Sequence, residues 1–85
     1  MIHWTTTETL GDGGVGVQED NSIIGYYYSL GEELAYRYEA VSFFTDGTDD
    51  KFVSETFRTI KAAKAWLTRR AKNKKFVHLV KIGPS

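Results

Sequence analysis

Thr59-Ile60-Lys61-Ala62-Ala63-Lys64-Ala65-Trp66-Leu67-Thr68-Arg69-Arg70-Ala71 is the stretch on which the fold turns. It has no glycine or proline and contains four alanines, so a helix is expected over residues 60–71. Thr59 is suited to be its N-cap, although no glutamate follows to complete a capping box. At about 100° per residue, Ile60, Ala63, Leu67 and Ala71 fall on one narrow apolar stripe. Trp66 and Arg70 flank the stripe on one side and Lys64 on the other, while Lys61, Ala65, Thr68, Arg69 and Lys72 share the outer face. The two alanines in the stripe permit close approach to a sheet.

Upstream, the chain has the composition of strands. Residues 22–30 and 34–45 are rich in tyrosine, phenylalanine and β-branched residues and flank the break Gly31-Glu32-Glu33, as in a β-hairpin. Strict alternation puts Ile24, Tyr26, Tyr28 and Leu30 on one face, with Leu34, Tyr36, Tyr38, Ala40 and Phe44 on the matching face of the partner. The opposite face then carries Ile23, Tyr27 and Ser29, with Arg37, Glu39, Val41 and Phe43. Shorter strands are expected over 2–9, 15–18, 51–57 and, after the helix, 76–82. Glycine- and aspartate-rich turns fall at 10–14, 19–21 and 46–50. The expected fold class is α+β: an antiparallel β-meander or hairpin sheet packed against one C-terminal α-helix, with a final short strand.

With 85 residues, the chain suffices for one domain over 1–85. The absence of cysteine excludes disulfides and thiolate metal sites. No apolar run is long enough to span a bilayer, and residues 1–4 do not resemble a signal peptide, so a cytoplasmic location is expected.

The net charge of zero conceals two unlike halves. Residues 1–55 hold all eleven acids against two bases, Arg37 and Lys51, for a charge of −9. Residues 56–85 hold nine bases and no acid, for +9. Such asymmetry points to an electrostatic partner or to surfaces that pair with each other.

Catalytic chemistry is poorly supplied. His3 lies near a terminus and His78 sits in an alternating strand beside Phe76 and Val80, where a structural role is expected. Ser22, Ser29, Ser42 and Ser54 have no nucleophile-elbow context. Asp46, Asp49 and Asp50 cluster without the spacing of a calcium loop, and the glycines at 11, 13, 14 and 16 lack the lysine of a phosphate loop. No catalytic residue, metal ligand or cofactor is therefore expected.

Phe57-Arg58-Thr59-Ile60-Lys61-Ala62-Ala63-Lys64-Ala65-Trp66 resembles the sheet-to-helix junction of small three-strand-plus-helix domains. Plant AP2-type DNA-binding domains and the arm-binding domains of phage integrases are examples, and similar pieces occur in small phage proteins. The resemblance covers ten of 85 residues. It implies DNA binding, with the preceding sheet as the basic reading surface in those families. Here the hairpin offers Arg37 among Glu32, Glu33 and Glu39.

The first expectation is a small non-enzymatic accessory or regulatory protein that binds a protein partner through a tyrosine-rich sheet surface and acidic loops. Tyr27, Arg37, Glu39, Val41 and Phe43 would form that interface. The alternative is a nucleic-acid-binding module of AP2 or integrase-arm type using the basic helix. Arg58, Lys61, Lys64, Arg69, Lys72, Lys74 and Lys75 would contact phosphates. Self-association into a homodimer through the opposed charges is a third reading.

Overall fold

A computed structural model describes residues 1–6, 13–46 and 51–79. Within them the chain forms strands β1 (His3–Thr5), β2 (Gly14–Val17), β3 (Ile23–Ser29), β4 (Tyr38–Ser42), β5 (Phe44–Thr45) and β6 (Val53–Phe57). Helix α1 (Ile60–Lys72) and strand β7 (Val77–His78) follow. The main sheet has the order β1-β2-β3-β4-β6 with every neighbouring pair antiparallel, and β5 and β7 pair separately. α1 lies across β3, β4 and β6. This is the expected antiparallel sheet with one C-terminal helix and a short final strand. The turns expected at 10–12 and 47–50, and the last residues of the final strand, lie outside the described residues.

The helix forms as its sequence dictates. Thr59 caps it, its hydroxyl accepting from the Ala62 N–H at 3.1 Å. Ala63 and Leu67 are fully buried, and Ile60 and Ala71 pack beside them. Full burial of Leu67 contributes about 2–3 kcal/mol. The core they meet consists of Ile24, Tyr27, Ala40 and Phe44, with Trp4, Phe57 and Trp66 at its margin.

That core corrects the face assignment of the central hairpin. Tyr27 is only 5% exposed, packed in the core rather than presented at an interface. The cause is a β-bulge. Gly16 pairs with Gly25 and Val17 with Ile23, leaving Ile24 as the extra residue. Ile24 and Gly25 therefore both face the helix, and the alternation of β3 is inverted beyond them. Tyr27 turns inward, and Tyr26 and Tyr28 turn outward. Gly25 has φ +154°, and a Cβ there would stand 2.2 Å from the Val41 carbonyl oxygen and 2.9 Å from Leu67 Cδ2. Glycines 14 and 16 of β2 make room for the inward rings: a Cβ at either would lie within 3 Å of Tyr27 or Trp4. Trp4 and Tyr27 meet edge-on at 5.9 Å in that space.

The second hairpin strand begins later than expected. Residues 31–37 form turns and bends, starting at Gly31 with φ +128° and closing with the Leu30 N–H donating to the Arg37 carbonyl at 2.6 Å. Leu34 and Tyr36 consequently lie in this connection, each 50% exposed, instead of on the core face.

Arg70 fastens the helix to the second sheet. Its Nε and Nη2 donate to the Phe44 carbonyl at 3.2 and 2.9 Å, and its guanidinium lies 4.1 Å from the Phe76 ring centroid. Partial burial lowers its pKa from the usual arginine value, opposed by the charges of Asp46 and Glu55. His78 stacks on Phe44 at 4.5 Å, and its Nε2–H donates to the Ile23 carbonyl at 2.8 Å.

Candidate interaction surface

The sheet face away from α1 carries a continuous row of aromatic rings. Phe52 stacks on Phe43 at 4.3 Å with 26° between planes. Phe43 meets Tyr26 edge-on at 6.0 Å and 76°. Tyr26 stacks with Tyr28 at 6.2 Å and 28°. Phe52 is 45% exposed, and the other three are half-buried.

Three of the rings are held there by backbone. The bulge at Ile24–Gly25 aims Tyr26 and Tyr28 outward. Phe43 is gripped from two sides: its N–H donates to the Ile24 carbonyl at 2.9 Å, and its carbonyl accepts from the Leu79 N–H at 2.8 Å. The register sets the flanks. Val15 and Val41 lie on either side of Tyr26, Glu39 lies opposite Tyr28, and Thr56 lies beyond Glu39. Among the outward positions of β2, β3, β4 and β6, Glu39 is the only charged residue.

Of the interface residues expected from sequence, Glu39, Val41 and Phe43 come together on this face. Tyr27 does not, for the reason given above. Arg37 is exposed one residue before β4, in the β3–β4 connection. Sequence reasoning missed Tyr26, Tyr28 and Phe52. A glycine inside a strand is the available signal of a bulge, and Gly25 sits where one residue of slippage exchanges the faces.

The acidic residues Glu32 and Glu33 are exposed in the β3–β4 connection, and Asp46 is exposed after β5. Asp49 and Asp50 lie outside the described residues.

The basic residues are divided in their surroundings. Lys64 is half-buried, with Nζ 5.5 Å from the Trp4 ring and 5.8 Å from the Tyr27 ring. Arg58 lies 5.3 Å over the ring of Tyr36. Lys61, Arg69, Lys72, Lys74 and Lys75 are exposed. Lys72 also lines a cavity of about 320 Å³ with Met1, Ile2, Gln18, Glu19 and Asp20. There the terminal ammonium lies 3.3 Å from Glu19, and hydrogen bonds from the Ser22 hydroxyl and N–H hold the Asp20 carboxyl below its usual pKa.

His78 is engaged in packing and hydrogen bonding at the junction of the two sheets. Among the described residues no group of three or more histidine, aspartate and glutamate side chains is placed to hold a metal ion. No described helix is long and apolar enough to cross a membrane. No protein-family model, curated protein or solved structure matches the chain.

Proposed function

We propose that this chain is a small non-enzymatic binding protein, accessory or regulatory in role, that engages a protein partner through the outer sheet face. The observation that carries the reading is the row Phe52–Phe43–Tyr26–Tyr28 standing on the side of the sheet the helix leaves uncovered. Tyrosine and phenylalanine are enriched at protein interfaces, where a rigid ring buries a large area with few torsions to freeze. Contiguous aromatic surface is costly to leave in water and gains most when a partner covers it. The exposed Glu32 and Glu33 add an acidic border near the Tyr28 end of β3. The charge of the face argues against nucleic acid as its occupant. Ring stacking on bases works together with cations for the phosphates, and the outward strand positions around the row offer Glu39 and no lysine or arginine.

Selection from a random peptide display library tests the reading, with wild type and the double variant Tyr26→Ser/Phe43→Ser immobilised in parallel. Selected peptides are expected to bind wild type and to lose about tenfold or more in affinity on the folded variant. Peptides that bind both equally would remove the outer face from the function.

A further inference from the structure

The far edge of β6 is a second open feature of the sheet, distinct from its outer face. We infer that it pairs antiparallel with the same edge of a second copy of the chain, across a two-fold axis at Val53, so that two sheets become one.

The backbone supplies the first argument. The Leu30 N–H donates to the Arg37 carbonyl and the Phe43 N–H to the Ile24 carbonyl, so the odd-numbered residues of β4 bond toward β3. The even-numbered Tyr38, Ala40 and Ser42 then bond toward Phe57, Glu55 and Val53 of β6. The peptide groups of Ser54 and Thr56 therefore point away from the sheet, of which β6 is the last strand, and no described residue bonds to them. β6 has neither the proline nor the bulge that commonly guards an edge. The opposite edge strand, β1, has only three residues.

Charge selects the occupant and the register. Val53, Glu55 and Phe57 lie across from Ser42, Ala40 and Tyr38 on the helix side, while Phe52 lies on the outer side against Phe43. By alternation Lys51, exposed just before Phe52, shares the helix side with Glu55. An antiparallel pair centred on Glu55 sets two carboxylates opposite each other, and one centred on Ser54 sets Glu55 against Val53. Centring on Val53 sets Lys51 of each copy opposite Glu55 of the other. One strand carries both halves of this pair, so a second copy answers each charge with its opposite. Of the other charges nearby, Asp46 acts on Arg70, whose donors are held by the Phe44 carbonyl, and Arg58 lies over Tyr36.

The same register joins the aromatic rows. Phe52 ends its row at the sheet edge, 45% exposed. It would stand opposite Ser54 of the other copy and diagonal to its Phe52, about 7–8 Å away and within reach of aromatic side chains. Ser54 and Phe52 are also residues whose peptide groups point outward, so each such pair exchanges both of its hydrogen bonds.

Sedimentation equilibrium of the full chain from about 10 μM to about 1 mM tests the inference, with a reversible shift toward the dimer expected. Ser54→Pro removes an outward N–H and leaves the β4 ladder intact, and should weaken association about tenfold or more while the amide spectrum stays dispersed. Lys51→Glu and Glu55→Lys should each weaken it about threefold or more, and the two together should restore it. The chain has no cysteine, so single cysteines report the register. On mild oxidation Val53→Cys should form a disulfide-linked dimer and Glu55→Cys should not.

A monomer at every concentration, a dimer that survives in folded Ser54→Pro, failure of the charge exchange to restore association, or cross-linking of Glu55→Cys but not Val53→Cys would each overturn the inference. The charge exchange and the cross-link decide it even where Ser54→Pro does not fold. Loss of the peptides selected on the outer face would leave the edge pairing standing, and a monomer would leave those peptides standing.

Discussion

A methyl group added at residue 25 would stand 2.2 Å from the Val41 carbonyl oxygen, in a backbone conformation that L side chains rarely adopt. Both costs fall on the same substitution. Gly25→Ala should therefore destabilise the chain by about 3 kcal/mol or more, read as a drop in the urea unfolding midpoint. A loss below about 1 kcal/mol would mean that the bulge relaxes. Gly25 also decides which tyrosines reach solvent, so this single position links stability to the binding face. Tyr27 makes the same point from the other side. Its inward ring fills the space left by Gly14, beside the Trp4 ring over Gly16, and Lys64 lies over both rings. Lys64, named from sequence as a candidate phosphate contact although its helical angle sets it beside the apolar stripe, is partly a packing residue.

At the scale of elements, Arg70 joins the helix to the β5–β7 pair, beside the packing of Phe44 in the core. Arg70 makes two hydrogen bonds to a single carbonyl and stacks on Phe76, geometry that a lysine cannot reproduce. Arg70→Lys should cost about 1–3 kcal/mol in chemical unfolding, while the charge is conserved. An unchanged midpoint would show that the charge alone fastens the helix. The helix was legible in sequence because its pattern is local: the cap, the alanines and the stripe need no knowledge of what lies opposite. The flanking position of Arg70 was legible too, but its acceptor, 26 residues upstream, was not. The sheet was legible as a sheet, because aromatic and β-branched runs between glycine turns have few other solutions. Its faces were not, because a period of two is inverted by one extra residue. Glu39, Val41 and Phe43 were placed correctly since β4 has no bulge, and Tyr26 and Tyr28 were misplaced since β3 has one. The final strand was legible from its alternation, whereas the separation of the two-residue β5 from β4 was not, because so short a strand has no period of its own.

Across the whole molecule, the sheet separates two surfaces of different character. One bears the aromatic row with Glu39, and the other bears α1 with exposed Lys61, Arg69 and Lys72. The layer between them is about 10 Å thick, longer than the Debye length of about 8 Å at physiological salt. Charges on the helix should therefore have little influence on the opposite face. The triple variant Lys61→Gln/Arg69→Gln/Lys72→Gln is expected to bind face-dependent peptides within about twofold of wild type at about 150 mM salt, measured by calorimetric titration. A large change would place part of the binding surface on the helix.

Phe43 joins these surfaces to the end of the described chain. Its ring is the corner of the aromatic row, while its carbonyl receives the Leu79 N–H. A ligand resting on the ring would restrain the peptide that anchors Leu79, so occupancy of the face and opening of the Leu79 hydrogen bond would draw on one equilibrium. Whatever loosens residues 76–79 would then weaken the grip on a ligand, and the Leu79 amide would report on the ring behind whose carbonyl it sits. Its hydrogen exchange would slow as the site fills.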